Sequence, residues 1–172
     1  EKNGFDYFMQ KEIYEQPQVV RNILDTYIKG DDIVFPKLGF KEDDLKNMSR
    51  FIIQACGTSW HSGLIGKYLI EDIARVPTEV DISSEFRYRR MLNSSNEIVV
   101  AISQSGETAD TLACIREAKS KFFSILSFVN VEGSSIDRES DGVIYTNAGP
   151  EIGVASTKNY IGQLLTIYLF AL

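Results

Sequence analysis

The chain has 172 residues, of which 44% are apolar and 24% are charged, and its formal net charge is −6. This is the composition of an ordinary globular domain that is long enough to bury a substantial core. The acidic balance argues against a nucleic-acid-binding protein, which requires a basic face. The densest basic cluster, Arg87, Arg89 and Arg90, is short, and we interpret it as a solvated helix end or a pair of ion pairs.

The cysteine and histidine contents further restrict the possible setting and chemistry of the protein. Cys56 and Cys114 belong to no CxxC motif, and two thiols in a chain of this size predict a reducing, cytoplasmic setting. With a single histidine, a His/Cys metal cluster is not expected. We also predict no cofactor. The most apolar stretch, residues 160–172, is too short to cross a membrane. Because the chain starts with Glu1 and ends within this apolar stripe, we expect a domain excised from a longer protein.

The N-terminal part predicts a helical segment over residues 1–48 that packs on a larger domain. Apolar residues recur with helical spacing on both sides of Pro17, and proline fits the first turn of a helix. We therefore expect two helical pieces between residues 5 and 29, followed by a short helix near residues 41–48. The domain itself is expected to occupy residues 49–172.

Strand and helix patterns alternate through the larger domain. Stretches with helical periodicity separate five short runs that have the length and the β-branched content of strands. These runs are residues 50–55, 77–82, 97–102, 124–129 and 142–145. The alternation predicts an α/β fold, namely a three-layer α-β-α sandwich with a five-stranded parallel sheet, doubly wound as in flavodoxin-like proteins.

Turns rich in small and hydroxyl-bearing residues follow three of the predicted strands, at residues 56–59, 103–108 and 147–156. Because parallel strands end at one edge of a sheet, these turns are expected to meet there. The first amides of a helix favour an anion, and Ser103, Ser105 and Thr108 add hydroxyl donors. The turn at residues 103–108 contains no Lys or Arg, so it predicts a phosphate held by neutral donors. Taken alone, Ser105 has a second interpretation as an ordinary helix N-cap, and the repeated turns favour the anion site.

Seven longer motifs point to one family. They are residues 9–17, 56–59, 84–88, 103–112, 133–135, 147–149 and 151–158. In this order they resemble the sugar isomerase (SIS) domain. More narrowly, they resemble the first of the two SIS domains in the glucosamine-6-phosphate synthase family, the glutamine:fructose-6-phosphate aminotransferases. The resemblance covers nearly the whole chain.

The resemblance implies a role in amino-sugar synthesis, towards UDP-N-acetylglucosamine. Members of that family hydrolyse glutamine in one domain and use the ammonia to convert fructose 6-phosphate into glucosamine 6-phosphate in two SIS domains. A homodimer is also implied. The family's contacts with the sugar phosphate carry over to Thr58, Ser59, Ser103, Gln104, Ser105, Thr108, Val154 and Ser156.

The same resemblance implies that this chain binds sugar phosphate without turning it over. The family's catalytic lysine, glutamate and histidine belong to the second SIS domain or its tail, and its glutaminase nucleophile is an N-terminal cysteine. This sequence has none of these positions, and His61 matches a different one. We therefore assign no catalytic residue and expect the glutaminase and second SIS domains to be the partners of this one.

Three alternative functions stay open at this point. A hydrolase would use Ser105 or Cys56 as its nucleophile and His61 as its base. The nucleophile elbow, however, requires glycine where this chain has Ser103 and Glu107. The others are a sugar-phosphate sensor that only binds its ligand and a sugar-phosphate isomerase that is complete in itself.

Three charged residues near the turns have two interpretations each. Glu107 is either an acid or base near the sugar or a first-turn acid stabilised by the helix dipole, and we favour the second. Glu151 either acts on the sugar or caps the loop before the last helix. Lys158 either approaches the phosphate or faces solvent in the first turn of that helix.

Overall fold

The computed structural model describes residues 1–86, 88–89, 96–121 and 123–172. Its N-terminal segment contains helix α1 (Phe8–Tyr27), the two-residue strands β1 (Ile28–Lys29) and β2 (Asp32–Ile33), and the short helix α2 (Glu42–Lys46). The strands β1 and β2 pair as an antiparallel hairpin, which the sequence pattern did not predict.

Helix α1 runs through Pro17 without interruption, so the prediction of two helical pieces was wrong. A proline inside a helix loses one backbone hydrogen bond and normally destabilises it. In α1 a single buried stripe continues past Pro17 through Val19, Ile23 and Tyr27, each at most 3% exposed. The burial of this stripe offsets the lost hydrogen bond, and the Pro17 ring lies on the exposed side.

The remaining elements alternate as predicted. In chain order they are β3 (Arg50–Ala55), α3 (Gly57–Leu69) with a π-helical turn (Ile70–Ala74), β4 (Thr78–Ile82), α4 (Ser83–Phe86), β5 (Glu97–Ser103), α5 (Ala109–Ser120), β6 (Ser124–Val129), α6 (Ser135–Glu139), β7 (Gly142–Tyr145) and α7 (Lys158–Ala171). The last five strands are parallel neighbours in the order β4-β3-β5-β6-β7. This arrangement confirms the predicted α/β fold and its five-stranded parallel sheet.

Helices cover both faces of the sheet and form two separate apolar layers. Alternate residues of a strand point to opposite faces, so Ile53 and Val100 pack towards α1, α3 and α7, whereas Ile52 and Val99 pack towards α4, α5 and α6. Every residue of β5 is buried. Burial on both faces explains why β3, β5 and β6 are mostly apolar runs, whereas the edge strand β4 alternates.

Two surface features bear on the predicted class of protein. Arg89 forms ion pairs with Glu79, at 2.7 Å, and with Asp81, so the ion-pair interpretation holds for this member of the basic cluster. Arg87 and Arg90 lie outside the described residues. In the part of the chain that the structure describes, no helix combines the length and the apolar character that spanning a bilayer demands.

Replacing Pro17 by alanine is expected to stabilise the domain. Alanine restores the amide that donates within α1 and has a far higher helix propensity, so the free energy of unfolding should rise by about 2 kcal/mol. Urea denaturation followed by circular dichroism measures the change. Gln18→Ala, at the neighbouring exposed position, is the control. An unchanged or lower stability of Pro17→Ala would show that α1 needs a bend at this residue in order to pack.

Candidate functional site

The order of the strands places a crevice between the ends of β3 and β5. From β3 the chain moves to β4 on one side and then returns to β5 on the other, while β3 and β5 themselves are paired, with Ala55 opposite Ile102. Helix α3 enters one layer and α5 enters the other. Such a reversal of strand order is where open α/β sheets bind their ligands, beyond the carboxyl ends of the strands. The predicted turns at residues 56–59 and 103–108 occupy this position.

The turn that follows β5 is closed by its own hydroxyl groups. The Ser103 and Thr108 hydroxyl oxygens lie 2.9 Å apart, and the Gly106 amide donates to Ser103 Oγ over 3.1 Å. The Glu107 amide donates to Ser105 Oγ over 3.1 Å. Helix α5 has Thr108 as its N-cap residue, so the alternative of Ser105 as the N-cap was wrong.

Gly106 is required by the geometry of this turn. Its φ is +66°, and a Cβ at this position would lie 2.0 Å from Ser134 Oγ at the start of α6. The Gly106 carbonyl accepts from the Ile136 amide over 3.0 Å, so the turn is pressed against the neighbouring short helix. A residue with a side chain would meet both backbone strain and a steric clash.

The turn that follows β3 leads directly into helix α3. Gly57 has a φ of +57° with open space around it, so the glycine serves the backbone conformation and no close approach. Thr58 and Ser59 are half-buried in the first turn of α3. The Gln163 amide of α7 donates to Ser59 Oγ over 2.9 Å, and Ser62 donates to the same Gln163 side chain. Gln163 of α7 therefore fixes the orientation of Ser59. Because Ser59 accepts this hydrogen bond, its own hydroxyl proton is not used in it.

The loop before α7 is held by Glu151. The carboxylate accepts hydrogen bonds from Ser156 Oγ at 2.9 Å, from the Thr157 amide at 2.8 Å and from Asn159 Nδ2 at 3.1 Å. These donors surround the N-terminus of α7, so Glu151 has the capping role that was one of its two interpretations. Val154 of the same loop is fully exposed.

Glu107 and Lys158 have partners that the sequence did not reveal. The Ser135 amide at the start of α6 donates to Glu107 over 2.7 Å, and this bond holds the pKa of the Glu107 carboxyl below its ordinary value. Lys158 is 5% exposed, and its ammonium lies 2.7 Å from Glu15 of α1. The hydrogen bond from Lys158 lowers the pKa of Glu15. Lys158 therefore neither faces solvent nor extends to the predicted phosphate site.

Asn130, which the sequence analysis missed, joins two of the three turns. The backbone amide of Asn130 donates to the Gln104 carbonyl over 3.2 Å. Its side chain accepts from the Ala148 backbone amide and donates to the Gly149 carbonyl, both over 2.8 Å. The sequence signal that could have identified Asn130 is its position directly after the fourth strand of the parallel sheet, at the carboxyl edge where the turns lie. Asn130 keeps the loop before α7 next to the turn after β5.

The geometry does not support a hydrolase. Cys56 precedes α3, and His61 lies on the exposed side of that helix in an edge contact with Trp60 at 5.1 Å. Within the described ranges, His61 is hydrogen-bonded to neither Cys56 nor Ser105. The same ranges contain no group of three or more His, Cys, Asp or Glu residues suited to hold a metal ion.

An apolar cavity of about 560 Å³ lies at the opposite edge of the sheet. Phe51 at the start of β3 and Leu169 at the end of α7 line it, and Glu42 and Lys46 are its charged residues. None of the predicted site residues borders this cavity. The candidate site is therefore the crevice formed by the turns, and it is distinct from this cavity.

Comparison with known proteins identifies the family of the chain. The sequence profile of the SIS domain matches residues 44–172. Glutamine–fructose-6-phosphate aminotransferase (isomerizing) of Clostridium tetani is 50% identical over the full length of this chain, which spans 28% of the relative. The corresponding Chlorobaculum tepidum protein is also 50% identical, with the same coverage. The chain thus spans less than a third of the length of these relatives.

A solved structure shows the same fold. The C-terminal domain of glucosamine-fructose-6-phosphate aminotransferase from Francisella tularensis superimposes with a TM-score of 0.92 at 41% sequence identity, covering 99% of this chain and 48% of the other. The SIS profile extends over all five parallel strands and the three turns at their carboxyl edge. The chain belongs to the SIS domain family.

Proposed function

We propose that this chain is the sugar-phosphate-binding domain of a glutamine–fructose-6-phosphate aminotransferase and that it binds fructose 6-phosphate and glucosamine 6-phosphate. The observation that carries the proposal is the pair of hydroxyl-bearing turns at the adjacent ends of β3 and β5, each leading into a helix N-terminus. The 50% identity with that enzyme across the whole chain supports the choice of ligand.

The phosphate is held by neutral donors. The first amides of α3 and α5 have no acceptor within their own helix, and the dipoles of both helices favour a dianion. Thr58 and Ser59 on one side, and Ser103, Ser105 and Thr108 on the other, add hydroxyl donors. No Lys or Arg occurs in either turn, so the binding is reversible enough for a substrate that must be released. Gln104 adds an amide, and Val154 and Ser156 face the sugar.

The proposal gives this domain binding and leaves catalysis to other parts of the enzyme. The relatives are more than three times as long as this chain, which is 28% of their length. We infer that the remaining length supplies the glutaminase domain and the second SIS domain with its catalytic groups. Residues 1–48 then form a segment that packs on the SIS domain of residues 49–172. From the resemblance we also propose a cytoplasmic homodimer, which sedimentation of the chain tests.

Titration of the 172-residue chain with four ligands tests the function. Calorimetry is expected to show saturable binding of fructose 6-phosphate and glucosamine 6-phosphate that is stronger than binding of fructose or inorganic phosphate. The sugar phosphates make contacts with the turns and with the loop before α7, whereas each control ligand makes only part of them. Equal binding of inorganic phosphate and fructose 6-phosphate would refute the assignment of a sugar phosphate.

Removing a hydroxyl from the turn after β5 is expected to weaken binding without unfolding the domain. Ser105→Ala or Thr108→Ala each deletes a neutral donor to an ionised phosphate, so the Kd for fructose 6-phosphate should rise about tenfold. Ser120→Ala, at the far end of α5, is the matched control and should leave the Kd unchanged. A lower melting temperature with unchanged affinity would show that these hydroxyl groups serve only the fold.

Gly106→Ala is expected to damage both the stability of the domain and its binding of fructose 6-phosphate. Backbone strain and the clash with Ser134 together should lower the free energy of unfolding by about 3 kcal/mol. Gly133→Ala is the control, because its φ of +74° gives similar strain while the space around it is open. The free energy of unfolding of Gly133→Ala is expected to fall by only about 1 kcal/mol, from backbone strain alone. Equal losses in the two variants would mean that the contact with Ser134 is easily relieved.

A further inference from the structure

The loop before α7 is attached to helix α1 through a buried carboxylate. Glu12 is 2% exposed, and its oxygens accept hydrogen bonds from the Ile152 amide at 2.6 Å and from the Gly153 amide at 3.1 and 3.2 Å. A carboxylate removed from water is strongly unfavourable unless such donors satisfy it. The hydrogen bonds therefore fix the loop backbone and the Glu12 side chain with respect to each other.

The absence of a side chain at residue 153 makes this contact possible. A Cβ on Gly153 would lie 2.6 Å from Glu12 Oε2 and 3.4 Å from Met9 Cβ. The loop backbone is thus pressed directly onto one face of α1. The φ angle of Gly153 is not positive. The glycine is therefore needed for the close approach of the loop to Glu12 and not for an unusual backbone conformation.

A second carboxylate on the same face of α1 holds the far end of the loop. Glu15 lies three residues after Glu12, which places both carboxylates on one side of the helix, and it pairs with Lys158 at 2.7 Å. Between these two anchors lie Val154 and Ser156. Their stretch of backbone is therefore fixed at both ends while the Val154 side chain stays fully exposed.

We propose that Glu12 is a positioning residue for sugar-phosphate binding, acting through the loop that carries Val154 and Ser156. This inference rests on the proposed function. A loop that is already fixed loses less conformational entropy when a ligand contacts it, so an anchored loop binds more tightly than a free one. The phosphate lies at the turns after β3 and β5, which Glu12 does not touch. Glu12 therefore supports the contacts with the sugar and not those with the phosphate.

Comparison of two ligands on Glu12→Ala tests this role. The Kd for fructose 6-phosphate is expected to rise about tenfold, whereas the Kd for inorganic phosphate should stay unchanged. A residue that merely stabilised the fold would weaken both ligands equally or neither. Glu12→Gln keeps one acceptor oxygen and should recover most of the affinity, to within about threefold of the unchanged chain. Asp25→Ala, an exposed acid on the same helix, is the control.

Gly153→Ala is a second variant, which keeps the Glu12 side chain but disrupts its contact with the loop. The added Cβ displaces the carboxylate from the loop, so this variant should reproduce the selective loss of fructose 6-phosphate affinity even if Glu12→Ala folds poorly. Unchanged affinity of both variants for fructose 6-phosphate, when the unchanged chain binds it, would overturn the positioning role alone. If the unchanged chain binds no sugar phosphate, the proposed function fails and the positioning role fails with it.

Discussion

The reversal of strand order between β3 and β5 is the constraint on which the candidate site depends. These two strands are neighbours in the sheet, but the helices that follow them pack in opposite layers, so their first turns diverge and neither covers the other. Two helix N-termini are left facing one crevice, where the dipoles of both helices add. The composition of the turns follows from this geometry. Small hydroxyl residues do not fill the crevice, and Gly106 lets the backbone close against α6.

Most of the fold could be predicted from the sequence because burial is nearly complete along the central strands β3, β5 and β6. A strand such as β5, buried throughout, appears as an unbroken apolar run, and the helices around it have a clear helical period. The errors concern features that local patterns do not determine. The hairpin of β1 and β2 has only two residues in each strand, which is too few for a periodic signal. The continuity of α1 through Pro17 depends on a buried stripe that forms only when the helix packs against α7 in the apolar layer on that face of the sheet.

The location of the turns was also predictable, because each one follows a strand and parallel strands share one carboxyl edge. The partners of the charged residues were not. Glu12 and Gly153 are 141 residues apart in the sequence, and Glu15 and Lys158 are 143 apart. No pattern within a window of ordinary length relates such positions. A buried Lys158 in the first turn of a helix is unfavourable with respect to the helix dipole, and the ion pair with Glu15 of α1 offsets this cost.

The positions of the carboxylates bear on the proposal that an acidic chain holds a phosphate with neutral donors. A net charge of −6 opposes a dianion, and Glu107, Glu151 and Glu12 all lie on the turn after β5 or in contact with the loop before α7. Each of these carboxylates accepts hydrogen bonds from backbone amides of the protein. Such hydrogen bonds stabilise the ionised carboxylates and occupy their lone pairs. Under the proposed function, the helix N-termini and hydroxyl groups are the donors to the phosphate, and the acids hold the turns that present them.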